Sequence, residues 1–524
     1  MIIPFDNAGS VGVIGDIASY ATPPEAWSSA TNIRFNDGYA QKTLGYSTFY
    51  TPSSAPHFIF PIENADVFYW LYANNTKIMA SEGAAEYDLT RTASDYNGST
   101  DDKWTGTVLG GIPIVCNGLD DPQMLNPVAV SGTFADLTNW PADTTCRVMK
   151  SFKNHLISLD ITKSGTRYPY MIKWSHPADA GTVPTSWDES DPTLDAGENE
   201  LAERGGYLVD GGTLGDTFII YREASIFEMR YIGGKYIFGF RKLFDRTGLY
   251  ARRCFVDYEG GHCFLSNDDL MTHNGTSVRS VLDRRYRDTL FSALRGATNS
   301  SRTFLAPNYA KNEIWVCYPE GADEFPTKAL VWNYRDDTVG FVTLPGASDI
   351  NFDVVQPTTL FTWDSDSDTW DSDETKWDAR QYDPSMRGMI MADATNTKIY
   401  KMDDTNQFNG TSFTSTLERQ GLAVIGRDRK GQAIVDLKAI KRVRAVYPKF
   451  DADAGTVITV YVGYQMETSD SVTWDSGTAF TVGTDYKVDT RTTGRLIAIK
   501  FETTGDVAWK LNGFDLDITV VGGR

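Results

Sequence analysis

The chain is poor in histidine, in cysteine and in helical patterning, and each shortage removes a class of function. Its 524 residues include five histidines, His57, His155, His176, His262 and His273. None stands in H-E-x-x-H or another zinc spacing. The five cysteines, Cys116, Cys146, Cys254, Cys263 and Cys317, are scattered, odd in number and without a C-x-x-C pair. Neither a disulfide framework nor a metal cage is expected, and reduced thiols in a bacterial cytoplasm account for them. His262 beside Cys263 is the one close pair, and adjacent strand residues face opposite sides. We read it as a buried thiol next to a surface or hydrogen-bonded histidine. No G-x-S-x-G, P-loop or dinucleotide fingerprint occurs. The pairs Gly205-Gly206, Gly211-Gly212, Gly233-Gly234 and Gly260-Gly261 suit hairpin turns and tight strand junctions rather than phosphate cradles.

Long apolar runs are missing too. None approaches 18 residues, and the start MIIPFDNAGSVGVIGD carries Asp6 and no basic region. The expectation is a chain without membrane span or signal peptide, made and assembled in the cytoplasm. Positive charge is in deficit: 49 Lys and Arg against 69 Asp and Glu give a formal charge of −20. Nucleic-acid binding by counterion release needs clustered cations, so this surface suits a soluble protein held apart from DNA or one that must let DNA slide past.

What the chain has is β material. Hydrophobic residues make up 41% and aromatics 13%, enough for real cores and too much for disorder. The length calls for two or three domains. Apolar stretches are four to eight residues long, rich in Val, Ile, Tyr, Phe and Trp, and bounded by Gly, Asn, Asp or Pro. One helical turn is expected around Arg284–Leu294, with Arg285, Asp288 and Ser292 on its polar side.

Strand–turn–strand units recur at intervals of roughly 40 to 60 residues. They lie at His57–Ala80, Trp104–Gly118, Lys153–Ser175, Asp216–Tyr231, Gly261–Gly275, Asn312–Tyr334 and, in part, Thr397–Asp403. The recurrence predicts a β-propeller of six to eight blades over residues 51–410, with inserted loops. Residues 1–50 are expected to form an extended segment packing on it. After residue 411 alternation is clean, with Val443, Ala445 and Tyr447 against Arg442 and Arg444, then Leu516, Ile518 and Val520 against Asp515, Asp517 and Thr519. This predicts a C-terminal β-sandwich or jelly-roll-like domain over 411–524.

The stretch Trp363–Asp378, WDSDSDTWDSDETKWD, repeats Trp-Asp every seven residues. It reads as a solvated loop anchored by aromatics. The sharper alternative, a divalent-cation loop, lacks the glycine and final Glu of a calcium loop. Its Ser365–Trp370 portion is close to a sialidase Asp-box without the glycine.

Several phrases together resemble one family. They are WSSATNIRFNDGYAQKTLGY (Trp27–Tyr46), NGLDDPQ (Asn117–Gln123), YMIKWSHPAD (Tyr170–Asp179), PTSWD (Pro184–Asp188), FLSNDDLMTHNG (Phe264–Gly275), GRLIAIKF (Gly494–Phe501) and WKLNGFDLDI (Trp509–Ile518). The chain resembles the tail nozzle proteins, also called packaged-DNA stabilisation proteins, of short-tailed bacteriophages (podophages). The resemblance spans nearly the whole chain, which is compact for the group. It implies a structural virion protein: a propeller built into a homohexameric tube below the portal and the tail adaptor or connector protein. Tail fibres or a distal plug or needle would join it. Such a tube retains packaged DNA and conducts it at ejection without sequence-specific binding. The family has no catalytic, cofactor-binding or metal-binding residues to carry over, so no enzyme activity and no cofactor are expected. The rival function is a propeller-type tail protein that binds or hydrolyses host-surface glycans with paired carboxylates in its channel.

Basic residues concentrate late, at Arg419, Arg427, Arg429, Lys430, Lys438, Lys441, Arg442, Arg444 and Lys449. They are read either as a solvated strand face or as a surface pairing with acidic neighbours in a ring. Arg442 and Arg444, with the aromatics Tyr461 and Tyr464, are the candidate interface residues. Core positions are the alternative for the two tyrosines.

Overall fold

A computed structural model describes residues 1–64, 67–82, 85–234, 236–355, 387–429 and 433–523. The acidic Trp363–Asp378 stretch and Lys430 lie outside the described residues. The protein is mainly β, as its short apolar runs require. Six four-stranded antiparallel sheets, and four consecutive strands of an eleven-stranded sheet, follow one another along the chain.

In order, the innermost strands of these seven units are Phe58–Asn64, Thr105–Leu109, Thr144–Phe152, Leu208–Leu214, Phe255–Tyr258, Phe304–Asn308 and Ala347–Val354. The order of strands within each unit follows the chain, as short hairpins dictate. The exception is the seventh, where Ala347–Val354, Arg387–Asp393 and Lys398–Met402 take their fourth strand, Tyr46–Tyr50, from the start of the chain.

The units pack face to face, and their apolar contacts run in a circle. Phe58, Leu71 and Ala80 of the first unit share a core with Trp104 and Val115 of the second. Ile114 and Cys116 meet Cys146 and Leu156 of the third. Phe152 and Ile172 meet Phe218 and Phe227 of the fourth. Tyr221 and Ile226 join Phe264 of the fifth and Val316 of the sixth. Trp315 and Val331 meet Met389 and Tyr400 of the seventh. Ile390 and Ile399 close on Ile59, Trp70 and Tyr72 of the first. A β-sheet must bury one or both faces, and these sheets bury theirs on one another, consistent with propeller-like blades.

Fit between neighbours is close. A side chain on Gly212 would sit 2.6 Å from the Phe255 ring of the next unit, so that strand approaches only as glycine. Helical patterning yields a single α-helix among the described residues, Arg287–Gly296. It buries Leu290, Phe291 and Leu294 and leaves Asp288 and Ser292 to solvent. Arg285, expected on the polar side, is half-buried and ion-paired with Asp337 at 2.7 Å.

Of the remaining strands, Val424–Arg427 pairs with Ala433–Val435 in a small hairpin, and most others form two facing sheets around a separate core. Long strands Ala439–Ala452 and Trp509–Gly523 pair in one, and Thr414–Leu422, Leu496–Thr504 and Val457–Gln465 in the other. Strands from the first 42 residues are built into both. Ile2–Asp6 and Tyr39–Lys42 pair with Trp509–Gly523, and Ser29–Thr31 pairs with Thr414–Leu422. Phe5, Trp27 and Phe35 therefore share the core of Leu417, Val460, Phe501 and Leu516.

Residues 1–50, expected as an extended segment on the propeller, thus divide between this two-sheet unit and the seventh sheet. The expected start of the C-terminal unit at 411 omits its N-terminal strands. Pairing across some 500 residues leaves no local signature, which is the physical reason for the difference. Val443, Ala445, Leu516 and Ile518 are buried, as the alternation requires, but Val520 is 50% exposed.

Trp27–Tyr46 joins the two parts. Asn32 donates to the Thr414 carbonyl at 2.8 Å and accepts the Thr343 amide at 2.8 Å. Lys42 reaches the carbonyls of Gly505 at 2.6 Å and Asn406 at 3.2 Å.

Candidate functional site

The seven innermost strands surround a cavity of about 300 Å³. Every unit lines it: Phe58 and Phe60 from the first, Thr105 from the second, Lys150 from the third, Asp210 from the fourth. Phe255 and Asp257 come from the fifth, Leu305 from the sixth, and Asn351 and Phe352 from the seventh. Alternation explains pairs such as Phe58 and Phe60 or Phe255 and Asp257, because residues i and i+2 of a strand share a face, while the seventh strand presents the adjacent Asn351 and Phe352.

Charged side chains cross-link the units around this cavity. Arg253 pairs with Asp349 at 2.6 Å, joining the fifth unit to the seventh. The same Asp349 oxygen accepts the Ile59 amide at 3.0 Å. Asp210 accepts the amides of Arg253 at 2.9 Å and Gly211 at 2.8 Å. Lys103 donates to the Arg252 carbonyl at 3.0 Å and the Thr303 carbonyl at 2.9 Å. Arg252 returns a bond to the Lys103 carbonyl at 3.1 Å and reaches the Arg147 carbonyl at 3.3 Å. Burial pulls the Lys103 ammonium down to about 8, with Arg252 and Arg253 adding repulsion. Burial also raises Asp349, against the opposing pull of Arg253.

None of these axial residues stood out in the sequence. The one signal was Arg252-Arg253, consecutive cations before a short strand in an acidic chain.

Arg442 and Arg444 stand exposed on the outer face of Ala439–Ala452. Arg442 donates to the Thr493 hydroxyl at 3.2 Å and Arg444 to the Thr519 hydroxyl at 2.8 Å. Asp517 is 3.9 Å from Arg444. Tyr461 and Tyr464 lie on Val457–Gln465 of the other sheet and are half-buried. The Lys500 ammonium sits 3.9 Å from the Tyr461 ring centre, and the Tyr461 hydroxyl donates to Glu502 at 3.3 Å. The two arginines and two tyrosines therefore occupy different sheets rather than one patch.

Two cations read as part of a solvated basic face are interior. Arg419 is 2% exposed and bonds the carbonyls of Ser19, Thr22 and Pro23. Lys441 is buried on the carbonyls of Asp436 and Ala439. Both follow the buried side of their strands, Arg419 in step with Ser415 and Leu417 and Lys441 in step with Val443 and Ala445, and carbonyls replace water around them.

Beside the arginine stripe lies an exposed apolar patch that the sequence did not flag. Met1 and Ile2 are 60% and 57% exposed, and Ile434, Val435, Leu437, Val520 and Val521 are exposed with them. The N-terminal amine ties Met1 to Asp517 at 3.1 Å and to the Ile518 carbonyl at 2.9 Å. Both Met1 and Ile434 reach the space above Gly426.

His262 is hydrogen-bonded and Cys263 is buried, its thiol pushed far up by burial. All five cysteines are free and buried. The familiar NGLDDPQ phrase is a structural knot. Asn117 accepts the amides of Leu119 and Asp120, while Asp120 receives Arg91 at 2.8 Å and the Asn97 amide at 2.8 Å. Among the described residues no group of three or more His, Cys, Asp or Glu side chains is placed to hold a metal. Among them, too, no helix is long and apolar enough to cross a membrane.

No family model matches the chain, and no curated protein matches it. Solved structures are similar only at a distance. PorZ, a surface component of the type-IX secretion system of Porphyromonas gingivalis, is 8% identical with a TM-score of 0.33. That match covers 73% of this chain and 43% of PorZ. A protein of unknown function from Desulfotomaculum acetoxidans is 11% identical with a TM-score of 0.30, covering 55% of this chain and 88% of that one. The extracellular domain of the one-component system BT4673 from B. thetaiotaomicron is 11% identical with a TM-score of 0.32, covering 56% and 38%. The chain thus spans less than half of PorZ and of the BT4673 domain, and no function is taken from likeness at this level.

Proposed function

We propose that this chain is a structural subunit of a short phage tail, a nozzle protein whose copies form a tube for packaged DNA. In this reading the ring is a seven-bladed propeller closed by the strand Tyr46–Tyr50, and the two-sheet unit is a β-sandwich used for assembly. Support from the sequence is the set of family phrases running from Trp27 to Ile518. Support from the structure is the exposed patch around Met1, Ile2, Val520 and Val521 beside Arg442 and Arg444. That patch carries the proposal, because contiguous exposed apolar surface marks a contact with another molecule.

The occupant is a second copy of this chain. Its formal charge of −20 offers the acidic surface that the exposed arginine stripe needs. Duplex DNA does not fit a cavity of about 300 Å³ crossed by Arg253 and Asp349, so the conduit lies between copies rather than through one. Six copies, each bringing a charge of −20, would surround that conduit with repulsion reaching about 8 Å from the wall.

Portal-side adaptor, fibres and a distal plug are the partners of this reading, and the virion tail its location. Sedimentation velocity of the purified chain over a concentration series tests it. Closed oligomers, weakened by Val520→Asp and Val521→Asp, are expected. A monomer at all concentrations, unchanged by those substitutions, would count against the patch.

A further inference from the structure

We propose that the axial cavity is a binding site for a small ring-bearing organic carboxylate, an aromatic or sugar acid, held by Lys150 and stacked on the phenylalanine walls. The site lies within one chain and does not depend on assembly.

Three observations carry the assignment. The first is size: about 300 Å³ is at the small end of ligand pockets and suits a single ring with its substituents. The second is the wall. Phe58 and Phe60, on one face of one strand, hold their rings 6.0 Å apart and 13° from parallel. Phe255 and Phe352 line other sides. A ring entering this space buries both its faces.

Charge is the third. Lys150 lines the cavity, half-buried, and forms no ion pair among the described residues. Behind the wall, Lys103 and Arg252 bond only carbonyls. The nearby carboxylates are already engaged. Asp349 holds Arg253 and the Ile59 amide, and Asp210 holds two backbone amides. Asp257, also on the wall, is exposed and receives the Tyr309 hydroxyl at 3.2 Å.

The wall itself carries Lys150 and Arg253 against Asp210 and Asp257, and of the two cations Arg253 is ion-paired while Lys150 is not, among the described residues. Unpaired charge at low dielectric is costly, and an anion relieves that cost most where a cation has no partner, at Lys150. A carboxylate there accepts the ammonium's hydrogen bonds while its ring displaces water from the phenylalanines.

Titration calorimetry on the full chain tests this with benzoate and glucuronate as probes. Benzamide and methyl glucoside serve as their neutral counterparts, and inorganic phosphate as a ringless anion. One carboxylate is expected to bind saturably with one site per chain, which separates the aromatic from the sugar source. Its neutral counterpart should bind at least about tenfold more weakly, and phosphate should not compete. Lys150→Met should cost about tenfold in affinity with an unchanged thermal melt, since the Lys150 side chain forms no ion pair among the described residues, and Lys150→Gln should repeat the loss. The assignment is overturned if neither carboxylate saturates, if a neutral counterpart or phosphate binds as tightly, or if both Lys150 variants bind like the parent.

Discussion

The Tyr221 hydroxyl lies 2.6 Å from Nε2 of His273 and 2.9 Å from Nδ1 of His262, all three buried between the fourth and fifth sheets. Neighbouring bonds fix the direction of every proton. The Gly275 amide donates to His273 Nδ1, so His273 Nε2 carries its proton and donates to Tyr221. His262 Nε2 faces the Thr213 carbonyl at 3.0 Å and donates to it. Tyr221 therefore donates to His262 Nδ1. The chain is complete only with both imidazoles neutral.

That arrangement makes folding sensitive to acid. Burial pulls His273 down to about 3, with His262 adding to the effect, and burial lowers His262 as well. An unfolded histidine titrates near 6.5. Depressed histidines leave the folded state with fewer protons than the unfolded one at mildly acidic pH, so stability is full above about 6.5 and falls as pH drops toward 3. His273 alone should remove on the order of 2–3 kcal/mol by about pH 4.5. Urea midpoints measured from pH 7.5 downward should show this fall. In a His273→Gln variant the slope should flatten; an unchanged slope would assign the acid loss elsewhere.

Tyr221→Phe removes the central hydroxyl and strands a donor on one histidine and an acceptor on the other. A loss of about 1–3 kcal/mol per unsatisfied buried group is expected at neutral pH. Chemical denaturation at pH 7.5 checks it, and a cost below 0.5 kcal/mol, roughly that of a surface substitution, would contradict the chain of bonds.

The strand Tyr46–Tyr50 closes the circle of sheets. Tyr46 stacks on Phe408 with ring centres 4.9 Å apart and lies 4.7 Å from Tyr400. Gly45 admits no side chain, because one would meet the Gln407 carbonyl at 1.9 Å. Tyr46→Ala should cost about 3–5 kcal/mol, as for other large aromatics removed from cores. Limited proteolysis should then cut near Phe408. A closure that merely decorates the ring would leave the melt and the cleavage pattern unchanged.

Arg34 is buried between Glu313, at 3.2 Å, and Asp403, at 2.9 Å, linking the N-terminal strands to the sixth and seventh units. Trp315 and Asn36 also bond Glu313, whose carboxyl is raised by burial. Arg34→Met leaves two acids without their cation and should cost about 3–5 kcal/mol. Adding Glu313→Gln to it should recover part of that loss, which a double-mutant cycle of urea midpoints measures. Additive losses would mean the groups act independently.

Arg442 and Arg444 hold only hydroxyls and one distant carboxylate. Their joint replacement by alanine should move stability by no more than about 0.5 kcal/mol. Self-association should weaken, more at low salt than at high, because exposed ion pairs are screened. Sedimentation at two ionic strengths reads both, and a double variant that assembles like the parent at each of them would remove the stripe from the interface.

The chemistry of single strands was legible in the sequence. Each recognised apolar unit, from His57–Ala80 to Thr397–Asp403, falls in a different sheet. In units such as Asp216–Tyr231 and Gly261–Gly275 it supplies the two central strands, whose both-face burial makes them the most apolar. What escaped was non-local. The pairing of Ile2–Asp6 with Trp509–Gly523 and of Tyr46–Tyr50 with Lys398–Met402 depends on chain ends meeting in space. The axial cluster escaped for the same reason: Lys103, Arg253 and Asp349 look like ordinary surface charges until the sheets bring them together. Arg419 and Lys441 were read as part of a solvated or pairing basic face although alternation sets them with Leu417 and Val443 on the buried side, because the carbonyls that make a buried cation tolerable, such as those of Ser19 and Thr22, come from distant parts of the chain.

The central proposal is that copies of this chain form the wall of a DNA conduit. Cryo-electron microscopy of particles assembled from the genome that encodes the chain tests that directly. The expected map places six copies as a ring below the portal, with the Met1–Val521 patch and the Arg442–Arg444 stripe between neighbours and acidic side chains facing the lumen. Particles in which the chain is absent from the tail, or in which it lines a lumen that is predominantly basic, would contradict it.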